Sequence, residues 1–111
     1  MGMSSSYDCF SGPYSRFHKF RTKLAKAAGI QLEKMDGYGG KKVWKYTDPL
    51  TTFMLLPDWD GFIDWDDCWL VAKRIEQLLP KLKDAESKEI ANDFIKGLMQ
   101  AHKDRSCVRW G

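Results

Sequence analysis

The sequence lacks the features that mark membrane-bound and disulfide-stabilised proteins. None of its apolar runs approaches the roughly 18 residues that a transmembrane helix needs. The polar start MGMSSSYD has neither the basic nor the apolar region of a signal peptide. The three cysteines, an odd number at unrelated spacings, exclude a disulfide framework as the basis of the fold. We therefore expect a cytoplasmic protein whose cysteines behave as small apolar residues.

Complete catalytic, zinc and nucleotide signatures are also missing. The cysteines and histidines include neither a Cys-x-x-Cys nor a paired-histidine motif, so no zinc site is predicted. The glycines at 37, 39 and 40 form neither a GxGxxG nor a Walker pattern. Cys68 falls on an apolar helical stripe, which favours a structural thiol over a nucleophile. We expect a protein without enzymatic activity and without a cofactor.

What is present is typical of one small globular domain. The chain has 111 residues, of which 43% are hydrophobic and 30% are charged. A chain of this length buries roughly two-thirds of its unfolded surface, which allows one ordinary core. Internal repeats, linkers and low-complexity segments are absent from the sequence. We therefore treat residues 1–111 as a single domain.

Charge is strongly segregated along the chain. Residues 1–45 carry nine Lys or Arg and three acids, a net of +6, whereas residues 46–67 carry six aspartates and no base, a net of −6. The remaining residues carry nine bases and six acids, which leaves the whole chain at +3. Separate basic and acidic surfaces can each attract a charged partner, or can face each other within the fold.

Apolar periodicity predicts a mainly α fold, a small helical bundle with at most a short strand pair, and α+β as the alternative. The predicted helices run from about Tyr14 to Ala28, from Asp48-Pro49 to Pro57, from Asp64 to Pro80 and from Asp84 to about Asp104. A weak strand is predicted over residues 42–46. A second strand, over residues 107–110, is expected to pair with residues 7–10.

The five tryptophans divide into two groups. Trp65 and Trp69 follow the helical spacing of the central helix, so we expect both to be buried. Trp44, Trp59 and Trp110 have no periodic partner, which is typical of an exposed aromatic patch. The leading prediction is a protein-binding surface in the loop region from Gly37 to Tyr46 and at Trp59. Its predicted contact residues are Tyr38, Lys42, Trp44, Tyr46 and Trp59.

The first helix supports an alternative function, the binding of nucleotides or nucleic acid. Basic side chains interleaved with aromatic ones can contact phosphates and stack on bases. The predicted phosphate-binding residues are Arg16, Lys19, Arg21, Lys23 and Lys26. A solvated lysine-rich face remains the plainer interpretation of the same residues.

The acidic turn resembles part of an EF-hand Ca²⁺ loop. With Gly61 at loop position six, the aspartates Asp58, Asp60 and Asp64 fall at positions three, five and nine. Position one is then Leu56, which has no ligand oxygen on its side chain, and position twelve is Asp67, which is shorter than the usual glutamate. A Ca²⁺ module is thus a second alternative, and a capped turn is the simpler interpretation.

Several motifs together resemble a family of small uncharacterised proteins from actinobacteria and their phages. The similarity runs from about Tyr14 to Pro80 and is carried by Ser15-Arg16-Phe17-His18-Lys19-Phe20-Arg21, Leu24-Ala25-x-Ala27-Ala28-Gly29-Ile30, Met35-x-Gly37-x-Gly39-Gly40 and Asp58-x-Asp60-Gly61 with Asp67-Cys68. The resemblance implies a common fold and a bacterial or phage setting, and it implies no catalytic residue. We therefore expect an accessory protein that docks on a host protein and could inhibit it.

Overall fold

Helices form most of the regular structure, as the sequence predicts. The computed structural model describes residues 2–57 and 60–111. Its α-helices are α1 (Tyr14–Ala27), α2 (Pro49–Leu55), α3 (Trp65–Leu78) and α4 (Ala85–Lys103). Its strands are β1 (Gly2–Ser4), β2 (Ser11–Pro13), β3 (Gly61–Ile63) and β4 (Val108–Trp110), and single 3₁₀ turns cover Ser6–Asp8, Leu32–Lys34 and Leu79–Lys81.

Capping residues, a glycine and a proline explain where the helices begin and end. The Asp48 carboxylate accepts a hydrogen bond from the backbone N–H of Leu50 at 2.9 Å, which caps α2. Asp84 caps α4 in the same way. Helix α1 ends before Gly29, whose φ of 79° lies in the left-handed region that favours glycine. Pro80 cannot continue α3, so the helix gives way to a 3₁₀ turn.

The strands form two antiparallel pairs within the described residues, where the sequence predicted at most one. Strand β1 pairs with β2, and β3 pairs with β4 through Gly61 opposite Trp110 and Ile63 opposite Val108. The predicted strand over residues 107–110 is therefore confirmed, but its predicted pairing with residues 7–10 is wrong. Tyr7 and Asp8 have φ values of 59° and 54°, and residues in this left-handed region cannot continue an extended strand.

The weak strand predicted over residues 42–46 does not form. Lys42 makes only an isolated bridge to Met35. Gly37 and Gly39 have φ values of 90° and 97°, and these left-handed residues reverse the chain. The following residues then run as an irregular loop whose position is fixed by Trp44.

The core centres on a cluster of aromatic rings. The Phe94 ring of α4 lies within 5.1 to 6.4 Å, between ring centroids, of five other rings. These rings belong to Phe10, Phe17, Phe20, Phe53 and Trp110. Trp110 is only 3% exposed, so its predicted place in an exposed aromatic patch is wrong. Burial of such large rings makes them a main source of the hydrophobic stabilisation of the fold.

Trp65 and Trp69 lie at the surface, which contradicts the predicted burial. Each is 40% exposed. The side of α3 that faces the core is formed instead by Cys68, Val71, Ala72, Ile75 and Leu78. Because each helical residue advances about 100° around the axis, both tryptophans sit at the edge of this stripe and not at its centre.

The difference between Phe94 and Trp69 gives a direct test of the core. We expect Phe94→Ala to lower the free energy of unfolding by about 3–5 kcal/mol, because it opens a cavity among five rings. Trp69→Ala should cost less than about 2 kcal/mol, because much of the indole is already in water. Urea unfolding followed by circular dichroism measures both values. Equal losses for the two variants would contradict this assignment of the core.

Candidate functional site

Trp44 anchors the predicted docking loop from inside. It is 4% exposed, and its indole N–H donates to the backbone carbonyl of Asp36 at 2.8 Å. Its ring meets the half-buried Tyr38 ring edge to face at 6.2 Å. The prediction that Trp44 is an exposed contact residue is therefore wrong, because the loop folds around its indole.

The tip of the same loop is exposed. Val43 and Tyr46 are each 75% exposed, and Lys42 also faces solvent. The Lys45 carbonyl accepts a hydrogen bond from the Thr51 hydroxyl at 2.6 Å, which fixes the end of the loop to α2. Of the predicted contact residues, Lys42 and Tyr46 are thus accessible on a fixed loop. Trp59 lies outside the described residues.

Four of the five predicted phosphate-binding residues share one side of α1, and the fifth does not. Arg16, Lys19, Lys23 and Lys26 recur at spacings of three and four, whereas Arg21 points into the core and is 2% exposed. The prediction for Arg21 is therefore wrong. Its burial is stabilised by specific partners and not by solvent.

Arg21 connects three segments of the chain. Its guanidinium carbon lies 4.2 Å from the centroid of the Phe17 ring, a cation–π contact. It donates hydrogen bonds to the Phe53 carbonyl at 3.0 Å and to the Tyr38 hydroxyl at 3.1 Å. The Tyr38 hydroxyl in turn donates to the Met54 carbonyl. These bonds connect α1 and α2 to the loop that contains Gly37, Tyr38 and Gly39.

The acidic turn has a structural role in the residues that are described. Asp60 and Asp64 are exposed, and the Asp64 carboxylate accepts a hydrogen bond from the Trp65 backbone N–H at 2.8 Å. Gly61 lies in β3, where an added Cβ would come within 1.9 Å of the Trp110 ring. Close packing against this ring explains the glycine without an ion. Asp58 lies outside the described residues.

A metal site receives no support from the described residues, and neither does a nucleophilic thiol at Cys9 or Cys68. Across residues 2–57 and 60–111, His, Cys, Asp and Glu form no group of three or more that could hold a metal ion. Burial raises the pKa of Cys9 to about 12 and that of Cys68 to about 11. Both thiols are therefore protonated at neutral pH, whereas a nucleophilic cysteine requires the thiolate.

The two exposed tryptophans of α3 belong to a surface that sequence reasoning missed. Together with Ile95, Met99 and His102 of α4, Trp65 and Trp69 form what we call the tryptophan face. The His102 ring lies 5.5 Å from the Trp65 ring and 6.4 Å from the Trp69 ring, between centroids. Its Nδ1 is 2.8 Å from the Trp65 carbonyl, which holds the imidazole in place.

The tryptophan face contains a shallow groove and has cations around it. The groove has a volume of about 570 Å³ and is lined by Trp69, Ile95, Lys96, Met99, Gln100, His102 and Lys103. Lys73 and Arg105 each lie 5.9 Å from a tryptophan ring, over Trp69 and Trp65 respectively. Glu76 pairs with Lys73 at 3.7 Å, and Asp104 accepts a hydrogen bond from the groove residue Gln100 at 3.0 Å. The four bases Lys73, Lys96, Lys103 and Arg105 outnumber these two acids.

Comparison with known proteins gives the chain no assigned relative. No family model, no curated protein and no solved structure matches it. The resemblance to the actinobacterial and phage family therefore stays a prediction. In the part of the chain that the structure describes, no helix has the length and apolar character needed to cross a bilayer.

The burial of Arg21 generates a prediction that separates it from the other basic residues of α1. We expect Arg21→Met to lower the free energy of unfolding by at least about 2 kcal/mol, because buried acceptors lose a charged donor. The matched variant Lys26→Met, at an exposed position, should change it by less than about 0.5 kcal/mol. Urea unfolding checks both. Similar small effects would place Arg21 in solvent.

Proposed function

We propose that the protein is a non-enzymatic binding module that docks on another protein through the tryptophan face. The observation that carries the proposal is the exposure of two large indoles, Trp65 and Trp69, at 40% each on one side of a helix pair. Tryptophan is the residue type most enriched at the centres of protein interfaces. Large apolar side chains of this kind are otherwise drawn into the core.

The shape and charge of the face favour an acidic amphipathic helix as the partner segment. A groove between two helices suits an apolar helix face, which would place its side chains between Trp69 and Met99. Lys96 and Lys103 line this groove and can pair with carboxylates on the flanks of the bound helix. A basic segment of the same apolar pattern would be repelled.

A contact within the tryptophan face orders part of it in the unbound protein. The contact between the His102 Nδ1 and the Trp65 carbonyl restrains the imidazole, which lies against both indoles. An interface whose side chains are already ordered loses less conformational entropy on binding. This ordering supports recognition of a defined partner over nonspecific hydrophobic association.

The setting that the sequence resemblance implies completes the proposal. The protein would act as a bacterial or phage accessory protein that docks on a host protein and could inhibit it. The loop tip at Val43 and Tyr46 is a second exposed apolar surface, and it belongs to the docking region that the sequence predicts.

The proposal is tested by capture from a nuclease-treated bacterial lysate with three baits. These are the natural protein, the double variant Trp65→Ala/Trp69→Ala and the loop variant Tyr46→Ala. We expect the natural protein and the loop variant to retain the same proteins, and the double variant to lose them, because removing an interface tryptophan costs at least about 2 kcal/mol, roughly thirtyfold in affinity.

Two further measurements complete the design. Reversing the charges of the two groove lysines with Lys96→Glu and Lys103→Glu should weaken capture in low salt, since the proposed partner segment is acidic. Circular dichroism of each bait verifies that it is folded. Capture that survives in the double variant and disappears in Tyr46→Ala would assign docking to the loop and refute the proposal.

A further inference from the structure

A second surface, at the opposite end of the α3–α4 pair, collects lysines from two parts of the chain. A pocket of about 530 Å³ lies between the second half of α1 and the turn that joins α3 to α4. Lys23 and Lys26 come from α1, whereas Lys81 and Lys83 come from the turn. We call this site the lysine pocket. Lys81 and Lys83 were not among the predicted phosphate-binding residues.

The lysine pocket carries a strong excess of positive charge. Its one acidic residue is Asp84, whose carboxylate lies 3.1 Å from the Lys23 ammonium. A hydrogen bond from the Ser87 backbone N–H and the neighbouring Lys23 lower the pKa of Asp84 to about 2, so it is ionised at neutral pH. Four lysines against one aspartate leave a net charge of +3 around the pocket.

The pocket also has apolar surface. Its apolar wall consists of the half-buried Ala27 and the aliphatic stems of the lysine side chains, with Leu82, which is 3% exposed, behind them. A cavity of this size, largely apolar and with a few convergent charges, has the dimensions of a small-molecule site. A purely ionic ligand would leave the apolar wall uncovered.

We propose that the lysine pocket binds a phosphorylated small molecule of the nucleotide class. The ammonium groups of Lys26, Lys81 and Lys83 hold the di- or triphosphate, and the planar apolar part lies against Ala27 and the aliphatic stems of the lysines. Ammonium groups bind phosphate as mobile point charges and need no rigid geometry. This function is additional to protein docking, because about 14 residues of α4, roughly 20 Å, separate Ala85 from Met99.

The charge pattern along α1 favours a compact ligand over a nucleic-acid strand. A strand would need the whole basic side of α1, but Arg16 lies 3.7 Å from the carboxylate of Glu86 and Lys23 is paired with Asp84. The acidic start of α4 thus offsets part of this side. The positive charge that remains is concentrated at the pocket, together with the two turn lysines.

The test is titration calorimetry with ATP, inorganic tripolyphosphate and adenosine in moderate salt. We expect ATP to bind about tenfold or more tightly than tripolyphosphate, because only ATP covers the apolar wall, and adenosine to show no measurable binding. The double variant Lys26→Glu/Lys83→Glu should lower ATP affinity at least about tenfold through charge reversal. Both positions are exposed, so the variant should stay folded.

Two variants separate a pocket from general charge attraction. Asp84→Asn removes the negative charge and frees Lys23, so ATP affinity should rise by about threefold or more, while asparagine still caps α4. Lys19→Glu reverses an exposed charge on the same side of α1 outside the pocket and should change affinity by less than about twofold.

Three results would overturn the proposal. Equal losses from Lys19→Glu and from single reversals at Lys26 or Lys83 would show general electrostatic attraction. Equal affinities for ATP and tripolyphosphate would show that the apolar wall does not contribute to binding. Tighter binding of a single-stranded DNA 12-mer than of ATP, with loss in Lys19→Glu, would indicate a nucleic-acid surface instead.

Discussion

The packing of aromatic rings around Phe94 is the constraint on which the rest of the structure depends. Its neighbours come from the N-terminal segment, from α1, from α2 and from β4, so one side chain of α4 joins most of the chain. Trp110 reaches this cluster only because Gly61 leaves room for its indole, whose N–H donates to the Pro57 carbonyl at 3.1 Å. The packing of the Trp110 ring in the aromatic cluster thus fixes the position of the β3–β4 pair.

Local signals in the sequence determine where the helices begin and end, and for this reason the boundaries were predictable. Asp48 and Asp84 accept backbone hydrogen bonds at helix starts, and Pro80 ends α3. These effects act within one turn and need no knowledge of the remaining fold. The same sequence-level reasoning could not identify which strand would pair with β4, because that choice depends on the distant aromatic cluster.

The orientation of each helix around its axis was harder to predict. Trp65 and Trp69 share an apolar stripe with buried residues, yet they lie at its edge. One available signal was the continuation of their column at Lys73 and Glu76, spaced four and three residues further on. Charged residues in the same column indicate that the column faces water.

The prediction for Arg21 fails in the opposite direction, because a residue expected at the surface is buried. Its charge suggested a surface position, although it is surrounded in the sequence by the buried Phe17, Phe20 and Leu24. A guanidinium can be buried when ring faces and carbonyls replace its water, and only the tertiary structure reveals those partners. Trp44 and Trp110 lacked periodic neighbours for the same reason, since their partners are distant in sequence.

The distances along the sequence between contacting rings also bear on how the protein assembles. Helices α3 and α4 are adjacent in the chain and pack through local contacts, whereas the contact between Phe17 and Trp110 joins residues near opposite ends. Local contacts close short loops and form early, while closing a loop of nearly the whole chain costs more entropy. We therefore expect the α3–α4 hairpin to form before the aromatic core is complete. The tryptophan face, built from these two helices, would then be assembled on a chain whose ends are still apart.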